Sequence, residues 1–147
     1  MRPIMRSIAS LSFIMLVATA CAAPRALPKA QPTAAQQIAN PASENCAKQG
    51  GKLSIEKNGA GGEFGVCVFE DNLQCEEWAM MRGECPVGGI KVTGYNTPAA
   101  RYCAIAGGEY AITGDSGAET EKGTCTFKNS KSCDVWEYYN GKCSPND

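Results

Sequence analysis

The stretch CEEWAMMRGEC (Cys75 to Cys85) recurs in outline as CDVWEYYNGKC (Cys133 to Cys143), and this recurrence reveals the architecture. Both segments read C-x2-W-x4-G-x-C. Upstream of each lies a second shared segment, G-x-C-x-F, formed by Gly65, Cys67 and Phe69 and again by Gly123, Cys125 and Phe127. Further upstream Cys46 matches Cys103, Gly50-Gly51 matches Gly107-Gly108, Ile55 matches Ile112, and Pro41-Ala42 matches Pro98-Ala99. The cysteines of the first set are 21, 8 and 10 residues apart, and those of the second 22, 8 and 10. Self-similarity of this kind is the signature of a tandem duplication. The copies span residues 40–86 and 96–147, joined by a link at 87–95.

Within each copy the local signals agree. Asn40 and Thr97 are suitable N-caps, each followed by a proline at the first helical position, where the missing N–H is harmless. The Gly-Gly pairs stop these helices. Lys52 to Lys57 alternates as a strand, with Leu53 and Ile55 on one face, and Gly-rich turns at Asn58 to Gly62 and Gly114 to Gly117 mark hairpins. In the returning strand Phe64, Val66 and Val68 correspond to Lys122, Thr124 and Thr126, which reads as a face tolerant of water. Gly65, Cys67 and Phe69 then form the packed face. A short last helix follows, with Asn72 or Ser130 as candidate caps and Glu76, Glu77 or Asp134 in its first turn, where the helix dipole favours acids. The expectation is an α+β fold of small disulfide-stabilised domains, each helix, β-hairpin and short helix, duplicated in tandem.

Four cysteines allow three pairings. Cys46 on the first helix and Cys67 on the packed face of the hairpin can meet, which favours Cys46–Cys67 and leaves Cys75–Cys85. The same reasoning gives Cys103–Cys125 and Cys133–Cys143. The second bridge of each copy needs the chain to fold back at Gly83 or Gly141, because a disulfide holds its Cα atoms within about 7 Å. Copies this short bury small cores, so bridges worth about 2–4 kcal/mol each weigh heavily in their stability.

The first twenty residues read differently. Arg2 and Arg6 precede the uncharged apolar run Ile8 to Ala20, which is too short for a permanent span and has the form of a secretory signal. It ends at Ala18-Thr19-Ala20-Cys21, which resembles a bacterial lipobox and implies lipidation (diacylglycerol and palmitate-type acyl chains) at Cys21. The alternative is plain cleavage at A-x-A with Cys21 unmodified. Parity favours lipidation: of nine cysteines, eight fall into the two matched sets and Cys21 is left over. Export also makes disulfides the expected state of the eight. Residues 21–39, rich in Ala, Pro and Gln, read as a flexible tether. Ala22 is not the Asp that retains such proteins in the inner membrane, so the outer membrane, facing the periplasm or the cell surface, is the expected address.

Beyond the signal the chain keeps 12 basic and 15 acidic residues, and the basic ones are scattered, which argues against nucleic acid as a partner. There is no histidine, which removes Ser-His-Asp, Cys-His and histidine-ligand metal chemistry. The cysteine spacings lack the close pairs of a zinc site and the C-x-x-C of a redox motif, so no cofactor and no catalytic residue are expected. Glu76 and Glu77 invite comparison with paired-carboxylate hydrolases, but adjacent helical residues diverge by about 100°, and a solvated first turn is favoured. Trp78 and Trp136 suit either a core or a binding surface, and their position three residues after a cysteine favours the core. A candidate binding surface combines Trp78, Met81, Trp136 and Tyr139.

The runs N-P-A-x3-C-x3-G-G-K-L (Asn40 to Leu53), G-V-C-V-F (Gly65 to Phe69) and C-E-E-W-A-x2-R-G-E-C-P (Cys75 to Pro86) resemble the DUF333 family of exported bacterial proteins and lipoproteins. Copy one matches closely, and copy two departs at Asp134-Val135. The family carries a hemolysin label, but Ala22 to Asp147 contains no long amphipathic or apolar segment of the kind pore formers use. What the resemblance implies is architecture and location: a non-catalytic envelope lipoprotein, held to the membrane by the lipid on Cys21, that binds an envelope protein or glycan or has a structural role. The alternatives are an inhibitor of a secreted hydrolase, presenting Asn58 to Gly62 or Glu70 to Gln74, and a hemolysin-type factor.

Overall fold

The computed structural model describes residues 40–146. The segments expected to be a signal peptide (1–20) and a tether (21–39), with the expected lipidation site Cys21, lie outside the described residues. Copy one comprises α1 (Pro41–Lys48), β1 (Lys52–Lys57), β2 (Glu63–Val68), β3 (Leu73–Glu76), α2 (Glu77–Met81) and β4 (Ile90–Lys91). Copy two comprises α3 (Pro98–Ile105), β5 (Glu109–Gly114), β6 (Lys122–Thr126), β7 (Ser132–Asp134) and α4 (Val135–Tyr139). The sheets run β1-β2-β3-β4 and β5-β6-β7, all neighbours antiparallel. The fold is a duplicated, disulfide-stabilised α+β unit.

The first helices start and stop as their ends dictate. The Asn40 side chain accepts from Ala42 N at 3.0 Å and Thr97 Oγ1 from Ala100 N at 3.1 Å, each ahead of its proline. The two glycines that follow each helix do different things. Gly50 and Gly107 adopt φ of +83° and +86°, a left-handed turn that glycine enters without strain. Gly51 and Gly108 instead lie against the first disulfide: a Cβ there would sit 2.2 Å from Cys67 Sγ and 2.4 Å from Cys125 Sγ respectively.

A third strand, β3 or β7, joins each hairpin, where the sequence pattern alone suggests a helix start. Asn72 and Ser130, read as helix caps, sit instead in the β2–β3 and β6–β7 turns at φ +58° and +66°. The caps are Glu76, which accepts from Trp78 N and Ala79 N, and Asp134, which accepts from Trp136 N and Glu137 N. A polar residue tolerant of left-handed φ suits a tight turn as well as a helix start, and here the turn uses it.

The structure bonds Cys46 to Cys67, Cys75 to Cys85, Cys103 to Cys125 and Cys133 to Cys143, with Cα separations of 5.6, 5.9, 5.7 and 6.0 Å. Cys67 stands directly opposite Cys75 across β2 and β3, and Cys125 opposite Cys133 across β6 and β7. The two bridges of a copy therefore leave its sheet side by side, one to the first helix and one across the last. Around them the core of copy one is Ala79, Met80, Phe69 and Ile90. That of copy two is Ala99, Phe127 and Val135 with Tyr110, Trp136, Tyr138 and Tyr139 against it.

The copies are packed on each other, head to tail. The face of β2 read as water-tolerant is covered: Val66 is fully buried, with Val92 and with Ile105 of α3, and Phe64, Val68 and Tyr95 close around them. Phe64 meets the Tyr102 ring edge-on at 4.8 Å. The physical reason lies in the departures of copy two from copy one. Tyr102, Ala104 and Ile105 stand where α1 has Asn45, Ala47 and Lys48, so only α3 carries a second apolar face. Conversely, only β2 carries the apolar partner face, since Lys122, Thr124 and Thr126 occupy the matching positions of β6. Fully burying side chains such as Val66 and Ile105 is worth about 1.5–3 kcal/mol each. The unmatched ends, α1 and the outer face of β6, are polar, so the stack stops at two.

The segment 87–95 is more than a link. It adds β4 to the sheet of copy one, pairing Leu73 with Lys91 and Gln74 with Ile90, and contributes Val92 to the seam.

Candidate functional site: the seam between the copies

A cleft of about 330 Å³ opens at the seam, lined from copy one by Arg82 and Glu84 and from copy two by Phe127, Lys128, Asn129 and Tyr138. Pro145 and Asn146 close one side, and Ala106 and Gly107 lie at the end of α3. Gly107 has to be small here for a second reason, because a Cβ would stand 2.7 Å from Glu84 O. Copy one has a counterpart of similar volume at the corresponding place, formed by Gly50, Lys52, Val68, Phe69 and Glu70.

The walls are fixed by hydrogen bonds. Lys128 Nζ donates to Gly83 O across the seam at 2.7 Å. Arg82 donates through Nε and Nη2 to Glu84 Oε2 at 3.0 and 2.7 Å. Asn129 holds the C-terminal segment, donating to Pro145 O at 2.8 Å, while its Oδ1 accepts from Lys131 N. Phe127 and Tyr138 meet edge-on at 4.8 Å and form the apolar floor. Burial, with Tyr102 and Glu76 nearby, holds the Tyr138 hydroxyl well above the usual phenol range, so this wall stays neutral.

The four residues of the candidate binding surface do not form one surface of equal exposure. Trp78 and Met81 of α2 are 40 % and 47 % exposed. Trp78 is thus not core: Cys75 lies in a strand, so the three-residue helical spacing that suggested a shared face does not apply. Trp136 is half-buried, and its Nε1 donates to Glu121 O at 2.9 Å. Tyr139 donates its hydroxyl to Lys57 O of copy one at 3.1 Å, which places it in the seam. The loop Asn58 to Gly62, considered above as an inhibitor loop, is docked at the same place, with Gly59 N donating to Tyr139 O.

The acids of α2 are not a solvated first turn. Glu76 and Glu77 are 8 % and 4 % exposed. Glu77 accepts from Asn40 Nδ2 at 2.8 Å and Ser43 Oγ at 2.6 Å, tying α2 to α1 over Gly65. Burial pushes the Glu76 carboxyl up, against the lowering effect of the Ala79 and Trp78 amides it caps. Copy two replaces the Glu77 arrangement with Val135 and uses another buried acid, Glu121. That carboxylate accepts from Tyr110 OH at 2.7 Å and Gly117 N at 2.8 Å, which fixes the β5–β6 loop. The Gly117 amide and then the Tyr110 hydroxyl hold Glu121 below the usual carboxylate range, and burial with this bond pushes Tyr110 up to about 12.

Sequence reasoning missed the seam because each copy was read alone. The signal was present in the copy-to-copy differences, Lys48 against Ile105 and Val66 against Thr124. Among the described residues no group of His, Cys, Asp and Glu side chains is placed to hold a metal ion, and no helix is long and apolar enough to cross a membrane.

Neither a curated protein nor a solved structure matches the chain. One family model does, described as "Domain of unknown function (DUF333)", and it matches twice, at residues 37–84 and 94–142. With both copies matched and most of the chain covered, this protein belongs to the DUF333 family.

Proposed function

We propose that the chain is a non-catalytic cell-envelope lipoprotein, anchored by lipid at Cys21, whose paired copies form one rigid module that binds an envelope partner. The observation that carries this reading is the seam cleft: a concave site with an apolar floor and a few fixed polar groups, the usual composition of a ligand pocket. Further support comes from the cysteines, since all eight among the described residues are bonded in pairs and offer no free thiolate. The absence of histidine narrows acid–base chemistry at neutral pH.

Two measurements test this. Labelling of the full-length chain with radioactive palmitate, alongside Cys21→Ala, tests the anchor: label confined to the wild type supports it, and equal labelling of both contradicts it. Crosslinking in intact cells from a photoreactive group at Tyr138 tests the binding role. A discrete adduct, lost when the same group is placed on the exposed position Lys48, supports it; no adduct at Tyr138 contradicts it.

A further inference from the structure

We infer that the seam cleft is a binding site for a small monoanionic carboxylate carrying an apolar or planar body, the size of one sugar acid or a two-residue peptide end. The inference rests on the binding reading above and specifies its ligand chemistry.

Size sets the first limit. About 330 Å³ is near the lower bound for small-molecule pockets and too little for a long chain of residues. The floor, Phe127 and Tyr138 with Ala106 and Pro145, calls for an apolar or planar portion.

Charge sets the second. Among the described residues of the lining, Arg82 and Lys128 face one acid, Glu84, which leaves one net positive charge in a module that is otherwise acidic. That balance suits a monoanion. Donors remain for it: an ammonium has three N–H groups, and Gly83 O takes one from Lys128. Arg82 gives Nε and Nη2 to Glu84, and its Nη1 donates to no protein acceptor among the described residues.

Comparison of the copies supplies an independent argument. Both copies have a crevice between the glycine that ends the first helix and the phenylalanine, Gly50 with Phe69 and Gly107 with Phe127. The residue after the phenylalanine is Glu70 in copy one and Lys128 in copy two. In copy one Glu70 shares its crevice with Lys52, whereas in copy two Lys128 shares its crevice with Arg82 of the other copy. The crevice of copy two is thus the one whose rim carries two cations, one from each copy.

The test is a titration of the whole mature chain, kept soluble by Cys21→Ser and labelled with ¹⁵N, followed by amide shifts. The probes are N-acetyl-alanyl-alanine and glucuronic acid, each beside its neutral amide. Saturable shifts at Gly107, Lys128 and Asn129 with either acid, and at least about tenfold weaker binding of its amide, support the inference and say which source fits. Lys128→Gln should weaken binding about tenfold, whereas Glu84→Gln, which frees the Arg82 fork, should tighten it severalfold. Both side chains lie at the surface, so an unchanged spectrum elsewhere certifies the fold. No shift with either acid, equal binding of acid and amide, or indifference to Lys128→Gln overturns the inference. Crosslinking from Tyr138 that persists in such a case would leave the broader binding reading standing.

Discussion

Arg101 of copy two grips Glu56 of copy one with both arms of its guanidinium, Nη1 to Oε2 at 2.8 Å and Nη2 to Oε1 at 2.7 Å. The same Arg101 also donates from Nε to Gln74 Oε1 at 2.9 Å, so one side chain ties together β1, β3 and α3. Copy one has Glu44 at the equivalent place, where it makes only an exposed pair with Lys48. The pair across the seam is about a quarter to a third exposed, less screened than a surface bridge. A double-mutant cycle on Arg101→Ala and Glu56→Ala should therefore give a coupling of about 1 kcal/mol, at the upper end for exposed pairs. Arg101→Lys should lose most of it, since an ammonium has no bidentate fork. Denaturant unfolding of the four proteins checks this.

Exchanging the corresponding residues of α1 and α3 should have opposite consequences. Ile105 is fully buried at the seam and Lys48 is exposed. Ile105→Lys should cost at least about 3 kcal/mol, combining lost burial with a charge forced into an apolar site. Lys48→Ile should change stability by no more than about 0.5 kcal/mol. Equal effects in denaturant melts would mean that α3 does not carry the contact.

The second glycine of each Gly-Gly pair should resist even alanine. Gly51→Ala and Gly108→Ala press a methyl group onto disulfide sulfur anchored at both ends, and each should cost about 1–3 kcal/mol as overpacking. Exposed Gly61, with nothing near its Cα, would lose only the smaller amount due to its positive φ. Thermal melts of the three variants at one pH compare them directly.

The acid–phenol pair of copy two sets limits at both ends of the pH range. Glu121 has its folded value below the ordinary 4.5, so its contribution is complete above 4.5 and is lost as pH falls through the folded value. Tyr110 has its folded value raised from 10 to about 12, so its contribution is complete below pH 10 and is lost as pH rises toward 12. Glu76 works against Glu121. Its raised folded value means stability falls as pH rises through that value. The stability gap between wild type and Glu121→Gln should accordingly shrink in acid, read from melts across pH. Spectrophotometric titration should show the Tyr110 phenol ionising late, together with Tyr138, and Tyr110→Phe should reduce the late step by one phenol.

Much of each copy was legible in the sequence because its determinants are local or repeated. The caps Asn40 and Thr97, the helix-ending glycines and the hairpin turns act within a few residues, and the two cysteine sets expose the repeat. What was misread depends on partners distant in the chain. β3 and β7 are only four and three residues long, too short for alternation to identify, and they exist because β2 and β6 offer them an edge. Glu77 is buried because Asn40 and Ser43 satisfy it, which its own neighbours do not announce. Val66 and Thr124 hold equivalent positions in the two copies but not equivalent environments, because only Val66 lies in the seam. Head-to-tail packing breaks that equivalence, and the residues changed where it did.

The natural tryptophans provide the decisive measurement, since Trp78 lies in copy one and Trp136 in copy two. With disulfides intact, Trp136→Phe leaves a reporter of copy one, and Trp78→Phe leaves a reporter of copy two. In denaturant unfolding followed by fluorescence, each protein is compared with its own circular dichroism. If the seam joins the copies into one cooperative body, both tryptophans report the midpoint of the whole chain, and Ile105→Lys splits the transitions. Separate midpoints for Trp78 and Trp136 with the seam intact would contradict it, leaving two independent domains and no preformed cleft between them.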